Sequence, residues 1–448
     1  MKPYRATLAP LAAVLLLGAA GLLAGCTVTP QGENSLRRAA ALAGKPYERP
    51  YAQRHIPPLP LKATSSQLVR FALLNSPEVE QAYWQWRAAI EQIPQAGTQA
   101  TTLMLNAGTT LQNGQASLAN TILGAGNMTG SDIRWPSKLT TQARAALESA
   151  RAAGWRYRAA IFAVRRAVLV AWYRYARTAA VLQLNQRRRQ FLTTIAALSR
   201  AGISTGGRPA AGWLVSQNAV DEIDVQIIAL QHQLPRDLAA LNGVLGRPPA
   251  APMNPPRAVP ALSLSRFGPK QLWLLAAHRN PQLRGLARDI SANRFDIRRA
   301  QQQYIPNFDI GLTSSLDGTA QSFSGALVVP VLRYKAINAA IAQARDQLRA
   351  AQSARRSVHV TLAAQLLGDV IATHNDYRQI ELFQNSILPR LKIIVFLARA
   401  DYQQGNGGID REIKSQNELL AIRQTLVDLQ ADLDIRIADM DAIIAAPL

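Results

Sequence analysis

The feature that most limits how this chain can fold is an internal duplication. Leu74-Asn75-Ser76-Pro77-Glu78-Val79 opens one copy, and His278-Arg279-Asn280-Pro281-Gln282-Leu283 opens the other. Three later points also match: Pro136 with Pro330, Ala150-Arg151 with Ala344-Arg345, and Ser216-Gln217-Asn218 with Ser415-Gln416-Asn417. A repeated unit of this kind usually cannot bury its apolar surface alone. We therefore expect the copies to pack on each other or on other subunits.

Each copy has the same predicted order of elements. Repeat 1, residues 64–250, has a β-hairpin at about 98–135, a long helix at about 137–200 and a return helix at about 213–245. A proline-rich linker, 251–268, leads to repeat 2, residues 269–448, whose hairpin spans about 305–330, long helix about 332–402 and return helix about 410–445. Sustained Ala, Leu and Val at heptad-like spacing, with Arg and Gln between them, predicts coiled-coil packing.

The N-terminus is typical of an exported lipoprotein. Lys2 and Arg5 precede about sixteen uncharged apolar residues, which is short for a spanning helix and typical of a signal peptide, here residues 1–25. Leu23-Ala24-Gly25-Cys26 resembles a bacterial lipobox, so Cys26, the only cysteine, is predicted to carry the lipid. Thr27 in place of Asp favours sorting to the outer membrane. Six prolines between residues 27 and 62 predict an extended tether over 26–63.

The net charge of +22 is compatible with nucleic acid, an anionic membrane surface or acidic cargo. The export signal argues against nucleic acid, and the charges are spread along the predicted helices. None of the five histidines stands at metal-ligand spacing with another His or Cys, and no glycine-rich phosphate loop is present. We therefore predict no catalytic residues, no metal, no cofactor other than the lipid on Cys26, and no enzymatic activity.

The chain resembles the outer-membrane factor family, whose members are TolC-like channels. Within that family it resembles the lipid-anchored branch. The resemblance is carried by the two Asn-Ser-Pro and Arg-Asn-Pro helix starts, by the order and duplication of the elements, and by several short motifs. These motifs are Tyr304-Ile305-Pro306, Val329-Pro330-Val331-Leu332, Ala339-Ala340-Ile341-Ala342-Gln343-Ala344 and Tyr402-Gln403-Gln404-Gly405. The resemblance implies a mainly α fold with a small β part. Three subunits would build a 12-helix barrel and a 12-stranded membrane β-barrel, with four strands from each subunit.

The same resemblance implies a passive outer-membrane duct for small toxic compounds, partnered by a periplasmic adaptor and an inner-membrane pump. The two alternatives are a type I secretion channel and a periplasmic coiled-coil adaptor or scaffold without a pore. The functional candidates flank the glycine breaks between long and return helices. The gate candidates are Arg200, Asp401, Tyr402, Asp410 and Arg411, and the adaptor-docking tip candidates are Gly202, Gly206, Gly405 and Gly408.

Overall fold

Long helices make up most of the protein, and a small antiparallel sheet makes up the rest. The computed structural model describes residues 27–54, 56–99, 103–111, 117–127, 133–204, 210–256, 268–317, 320–404 and 408–446. The helices are α1 Glu33–Gly44, α2 Ser65–Asn75, α3 Pro77–Gly97, α4 Pro136–Ser204, α5 Ala210–Leu245, α6 Pro269–Arg279, α7 Pro281–Gln301, α8 Tyr334–Leu382, α9 Leu388–Gln403 and α10 Ile409–Ile444. The strands are β1 Leu103–Thr109, β2 Thr121–Asn127, β3 Asn307–Ser315 and β4 Gln321–Val328. The predicted fold class, mainly helical with a small β part, is confirmed.

The elements occur twice in the same order. Repeat 1 comprises α2, α3, the β1–β2 pair, α4 and α5, and repeat 2 comprises α6, α7, the β3–β4 pair, α8–α9 and α10. A five-residue π-helical stretch, Phe383–Ile387, interrupts the second long helix that the sequence predicts as continuous. Leu388 N–H donates to the carbonyl of Phe383, five residues earlier, and Pro389 follows. Since proline has no N–H to donate, a local widening before it is a common way for a helix to continue.

In both repeats, an asparagine between the first two helices donates hydrogen bonds to the end of the return helix. Asn75 Nδ2 donates to the carbonyls of Leu245 and Gly246, at 2.8 and 3.0 Å. Asn280 Nδ2 donates to the carbonyl of Ile443 at 2.9 Å. Both side chains are buried, and each satisfies carbonyls that the end of a return helix leaves without a helical partner. The asparagine just before the proline that opens the second helix thus holds the start of each repeat to its end.

The extended tether predicted for residues 26–63 is wrong over part of its length, because Glu33–Gly44 forms the helix α1. Residues 33–44 contain Ala, Leu and Arg, which favour helix, and the prolines fall outside them. Arg37 fixes the helix through Glu33 at 2.8 Å and Glu91 at 2.9 Å. Arg54 holds the following segment by two hydrogen bonds to the Glu80 carboxylate, at 2.8 and 2.5 Å.

The chain folds into two compact units. Unit 1 comprises residues up to 45, 83–156 and 282–357, and it contains the whole sheet. One of its apolar clusters is formed by Ala300, Ile337, Ile341 and Ala344. Unit 2 comprises 46–82, 157–281 and 358–448, and it contains the four helix ends next to the glycine breaks. The predicted linker 251–268 contains no helix or strand over its described residues, 251–256 and 268.

Candidate functional site

The four strands form one antiparallel sheet in the order β1-β2-β3-β4. The two hairpins join through β2 and β3, where Gly126 pairs with Gly311 and Ala125 with Leu312. β1 and β4 therefore lie at the two edges, and within the described residues each has a partner on one side only. An edge strand presents a row of unpaired backbone groups, so this sheet is open to extension at both ends.

The pairing register gives the sheet two chemically different faces. Residues paired across antiparallel strands lie on the same face, and neighbours along a strand alternate between faces. One face is largely apolar and carries Leu105, Ala107, Leu123, Ala125, Phe308, Ile310, Leu312, Phe323 and Leu327, with Thr109, Thr121, Ser314 and Gln321 at its turn end. Several of its large side chains are exposed in a single chain, with Phe323 at 77%, Leu105 at 75% and Leu327 at 65%. Such a surface requires a covering that is itself apolar.

The opposite face is more polar and built mostly from small residues. Its larger apolar members are Met104, Ile122 and Val328, and its small or polar members are Asn106, Gly108, Gly124, Gly126, Asn307, Asp309, Gly311, Thr313, Ser322, Ser324 and Ala326. Thr313 and Ser322 hydroxyls lie 2.5 Å apart across strands. A Cβ on Gly124 would lie 2.1 Å from Asn106 Oδ1, so a larger residue here would displace the Asn106 side chain. This face suits contact with water.

The start of α4 is bound to the start of β3. Trp135 Nε1 donates to the Pro306 carbonyl at 2.7 Å, and its ring lies 5.2 Å from the ring of Phe308. Lys138 Nζ donates to the Ile305 carbonyl and to Asn307 Oδ1, both at 2.6 Å. These contacts fix the helix-proximal end of the sheet.

The second candidate region is the set of helix ends in unit 2, where the sequence placed the gate. A core cluster joins α4, α5, α9 and α10 there; its members include Leu192, Ile195, Ile223, Tyr402 and Ile413. Tyr402 is 5% exposed, and its hydroxyl lies 3.2 Å from Ser199 Oγ. Because Ser199 donates its one hydroxyl proton to the Ile195 carbonyl at 2.9 Å, the Tyr402 hydroxyl is the donor in this pair.

The five gate candidates do not form one cluster. Arg411 Nη1 and Asp401 Oδ2 form an ion pair at 3.2 Å, which links α9 to α10 across the break. Asp410 is exposed in the first turn of α10. Arg200 is exposed near the end of α4 and lines a groove instead.

Two of the four tip candidates lie outside the described residues, namely Gly206 and Gly405, as does the lipidation candidate Cys26. Gly202 lies in the last turn of α4, and the exposed Gly408 directly precedes α10. Sequence reasoning missed Ser199. Its spacing from Leu192 and Ile195 on one helical face was a signal that could have identified it.

A groove of about 680 Å³ runs between the last turns of α4 and the first half of α5. Arg189, Arg200, Trp213, Gln217, Asp221 and Asp224 are among its lining residues. Arg189 binds both carboxylate oxygens of Asp224, one of them at 3.0 Å from Nη2. This hydrogen bonding lowers the pKa of the Asp224 carboxyl. The groove is thus amphipathic, with charges of both signs beside a tryptophan.

Further along the helices of unit 2, a network of ion pairs connects α4, α8 and α10. Arg166 Nε contacts Asp439 at 2.5 Å, Arg165 contacts Asp441 at 3.1 Å, and Arg436 contacts Asp376 at 2.9 Å. Asp369 stands beside this network. Burial raises the pKa of Asp369 to about 6, the Asp439 carboxylate adds to the rise, and Arg436 and Arg166 oppose it.

Across the part of the chain that the structure describes, no helix is both long and apolar enough to span a membrane. Within the same residues, no group of three or more His, Cys, Asp or Glu side chains is placed to hold a metal ion.

A family comparison decides what kind of protein carries these features. The sequence profile of the family described as outer membrane efflux protein matches residues 273–446, which cover nearly all of repeat 2. Over these residues the chain is similar to the outer membrane efflux proteins. The profile covers the repeat that contains the β3–β4 hairpin, the α8–α9 helix and the Tyr402 and Arg411 positions.

Solved structures extend the likeness to the fold of both repeats. Vibrio cholerae VceC, an outer membrane protein, matches with a TM-score of 0.72 at 16% identity, over 85% of this chain and 96% of VceC. The Neisseria gonorrhoeae MtrE outer membrane channel in its open state matches with 0.70 at 15%, over 86% and 89%. The Campylobacter jejuni CmeC outer membrane channel matches with 0.71 at 13%, over 85% of each chain. A search among curated proteins finds no match to the sequence.

The predicted function, an outer-membrane efflux channel component, is confirmed at this level, and so is the outer-membrane location. The family is one of efflux channels and not of enzymes, in agreement with the prediction. The roles of individual gate and tip residues and the lipid on Cys26 stay predictions.

Proposed function

We propose that three copies of this efflux protein form a passive duct through the outer membrane, anchored by a lipid on Cys26, that passes small toxic compounds from the periplasm to the exterior. The observation that carries the proposal is the two-faced sheet whose edges lack partners within the described residues of one chain. The number three comes from the resemblance to outer-membrane factors.

The sheet alone argues for more than one copy. Four strands cannot close around a passage, since the smallest barrels with a filled interior need about eight. Edge strands exposed to lipid would leave backbone groups without hydrogen bonds, which is costly in hydrocarbon. If β1 of one copy pairs with β4 of the next, both problems are resolved. The apolar face then meets lipid, and the polar face meets water.

The second long helix gives independent support for a neighbouring copy. α8 and α9 expose large apolar side chains in a single chain, including Leu367 at 50%, Ile371 at 61%, Ile393 at 60% and Phe396 at 70%. These side chains recur along the helix direction, as packing against another long helix requires. We assign this surface to a second copy of the chain.

The helix ends of unit 2 are the proposed closing point. The Tyr402–Ser199 hydrogen bond holds α9 to α4, and the Asp401–Arg411 ion pair holds α9 to α10. A partner that opens the duct would break both contacts. A periplasmic adaptor would dock at the tips that carry Gly202, Gly206, Gly405 and Gly408, and an inner-membrane pump would supply the energy.

The assembly is tested on the full chain purified in detergent from outer membranes. Native mass spectrometry should give three chains with a lipid mass on the N-terminal cysteine, and planar bilayers should show single-channel currents. A monomer without current would refute the duct. A non-lipidated trimer would refute only the anchor.

The closing point is tested with a matched pair of tyrosines. Tyr402→Phe removes the hydroxyl donor and keeps the ring, so we expect a larger open fraction in bilayers. Tyr377→Phe is the control, because Tyr377 is 46% exposed on α8, away from the helix ends. Equal open fractions for the two variants and the wild type would contradict a role for Tyr402 in closure. Export of a polypeptide, with no protection against toxic compounds, would favour the secretion alternative.

A further inference from the structure

Basic residues are unevenly distributed between the sheet and the ends of the helices next to it. Residues 100–133 and 300–332, which include all four strands, contain no Lys or Arg, although the chain has 50. Basic residues recur directly beside the second of these stretches, where α7 leads into β3 and β4 leads into α8. We call this set the basic junction cluster, and its members are Arg298, Arg299, Arg333 and Lys335.

The packing of α7 against α8 brings the two halves of the basic junction cluster to one place. Ile297 and Ala300, in the last turns of α7, pack with Ile337 in the first turn of α8. The Tyr304 hydroxyl donates to Asn338 Oδ1 at 2.9 Å, which joins the same two segments. The cluster therefore lies at the helix-proximal end of the sheet, within unit 1.

The protein neutralises only part of the charge of this cluster. Arg299 pairs with Asp296 at 3.2 Å. The side chains of Arg298, Arg333 and Lys335 are exposed, and within the described residues they form no ion pair or hydrogen bond. The first turn of α8 contains no acidic residue, and the positive end of a helix dipole does not favour cations. Helix stability therefore does not account for the two basic residues at the start of α8.

Exposed aromatic and aliphatic side chains adjoin the basic junction cluster. Tyr304 is 46% exposed, Tyr334 is 54% exposed and Leu332 is 94% exposed. Trp135, at 41% exposure, packs against Phe308, which the register places on the apolar face of the sheet. Amphipathic aromatic rings and basic side chains at the end of an apolar band are typical of a protein that crosses the surface of a membrane.

We propose that the basic junction cluster binds the phosphate groups of anionic phospholipids in the periplasmic leaflet of the outer membrane, with the acyl chains against the apolar face of the sheet. This inference rests on the proposed three-copy duct, which places the helix-proximal end of the sheet at that leaflet. Charge complementarity and the continuity of the cluster with the apolar face favour a lipid over a free anion. Arginine suits this role because its guanidinium group binds phosphate oxygens in pairs.

Native mass spectrometry of the full-length trimer in detergent can measure how tightly the protein retains an added lipid. The two probes are phosphatidylglycerol and phosphatidylcholine with identical acyl chains, which differ in the net charge of the headgroup. Each basic side chain near an anionic lipid surface strengthens binding about fivefold. We therefore expect the wild type to retain phosphatidylglycerol at least about tenfold more tightly than phosphatidylcholine. Glycerol phosphate, which lacks acyl chains, should not displace phosphatidylglycerol at the same concentration.

The test variant combines Arg298→Gln, Arg333→Gln and Lys335→Gln. It removes the three charges that have no ion-pair partner within the described residues, so retention of phosphatidylglycerol should weaken at least about tenfold. Retention of phosphatidylcholine should stay near the wild-type value. If this variant does not assemble, Arg298→Gln and Lys335→Gln are measured singly, each with an expected loss of about fivefold.

A matched control removes three exposed arginines further along α8. These begin about 15 Å beyond Lys335, which exceeds the screening length of about 10 Å at 0.1 M salt. The control variant combines Arg345→Gln, Arg355→Gln and Arg356→Gln. We expect it to retain phosphatidylglycerol as the wild type does.

The outcomes separate the lipid site from the duct. A monomer, or a wild type without current in planar bilayers, refutes the duct itself. If the trimer conducts, equal retention of both lipids by the wild type overturns the lipid site, and so does an equal loss in the test and control variants. Displacement of phosphatidylglycerol by glycerol phosphate at the same concentration would show a site for a free phosphate and would also overturn it.

Discussion

The long helices of the two repeats differ in how much of their surface the chain itself covers. Among the described side chains of α4, Leu198 is the one large apolar side chain that is exposed, at 52%. α8 and α9 expose such side chains over most of their length, from Val360 at 61% to Leu397 at 52%. Duplication thus reproduced the order of elements but not their burial. The uncovered helix of repeat 2 shows where a second copy is needed.

The two repeats also have different residues at the equivalent position just after the return helix. When the repeats are aligned so that Ser216 matches Ser415, Gly246 matches Ala445. Both residues follow a return helix, and both have a positive φ, +68° and +57°. The serines themselves make the same contact, with Ser216 Oγ donating to Trp213 O and Ser415 Oγ to Glu412 O. Repeat 1 therefore uses the residue best suited to this backbone conformation, and repeat 2 does not.

The largest expected effect concerns the exposed surface of α9, because the loss there recurs at every contact between copies. Phe396→Ala removes the most exposed apolar side chain of α9, and burial of such a group against another copy is worth about 2–3 kcal/mol. We expect each contact between copies to weaken roughly 30-fold to 150-fold. Dissociation of the trimer on dilution, followed by mass photometry, measures this. Arg390→Ala, an exposed residue about 120° around the same helix from Phe396, is the control, and equal weakening by both variants would argue against the α9 surface as the interface.

The next effect concerns the contact between Asn75 and the end of α5, which joins the start of repeat 1 to its end. In Gly246→Ala the new Cβ would lie 2.9 Å from Asn75 Nδ2 and 3.1 Å from the Asn75 backbone oxygen, in a left-handed conformation. The strain and the disturbed Asn75 hydrogen bonds together should destabilise the protein by about 2–4 kcal/mol. A lower midpoint of thermal unfolding by circular dichroism is the readout. An unchanged midpoint would show that the Asn75 contact does not hold the repeat together.

A third pair compares one glycine within each long helix. Gly154→Ala places a Cβ 2.9 Å from Nε1 of the buried Trp86, so we expect a loss of about 1–3 kcal/mol from overpacking. Gly368→Ala in α8 meets no atom within 4 Å and gains helix propensity of up to about 1 kcal/mol. Thermal midpoints should therefore shift in opposite directions. A shift of the same sign for both would contradict the difference in burial between the two helices.

The fourth prediction sharpens the comparison at one position. When the two repeats are aligned so that Ala150 matches Ala344, Tyr175 matches Asp369. Tyr175 is 2% exposed and donates to the Met253 carbonyl at 2.8 Å, whereas Asp369 is half-buried with a pKa raised to about 6. A carboxyl whose pKa is higher in the folded than in the unfolded state destabilises the fold as pH rises through that range.

Asp369→Asn should accordingly raise the thermal midpoint at pH 8 and change it little at pH 4, where both proteins carry a neutral side chain. Asp346→Asn on the same helix, whose carboxylate is 71% exposed, is the control with no expected pH-dependent gain. A gain at pH 4 as large as at pH 8 would show that Asp369 acts through packing instead of charge.

The smallest expected effect is a gain. Ala445→Gly relieves the left-handed strain at the end of α10, offset by the greater chain entropy of glycine, for a net stabilisation of at most about 1 kcal/mol. A slightly raised midpoint of thermal unfolding is the readout. A loss of stability would mean that the Ala445 side chain contributes packing that outweighs the strain.

Much of the fold was readable because its signals are local. Proline starts, glycine breaks and heptad spacing predicted the long helices, and the second hairpin was predicted at about 305–330. The prediction of an extended tether was wrong over residues 33–44 because it was based on the surrounding prolines and not on the helix-forming residues between them. Arg298 and Ser199 were not singled out, since neither carries a motif. Their positions in a basic cluster and in a core cluster depend on packing against distant parts of the chain.

The sequence by itself determined the duplication, the helical character and the two strand pairs, because periodicity and turn chemistry act between near neighbours. Only the tertiary structure decided that β2 pairs with β3, which side chains share the polar face, and that Tyr402 donates to Ser199. Those contacts join residues about two hundred positions apart in the chain, and no local pattern specifies which distant surfaces meet.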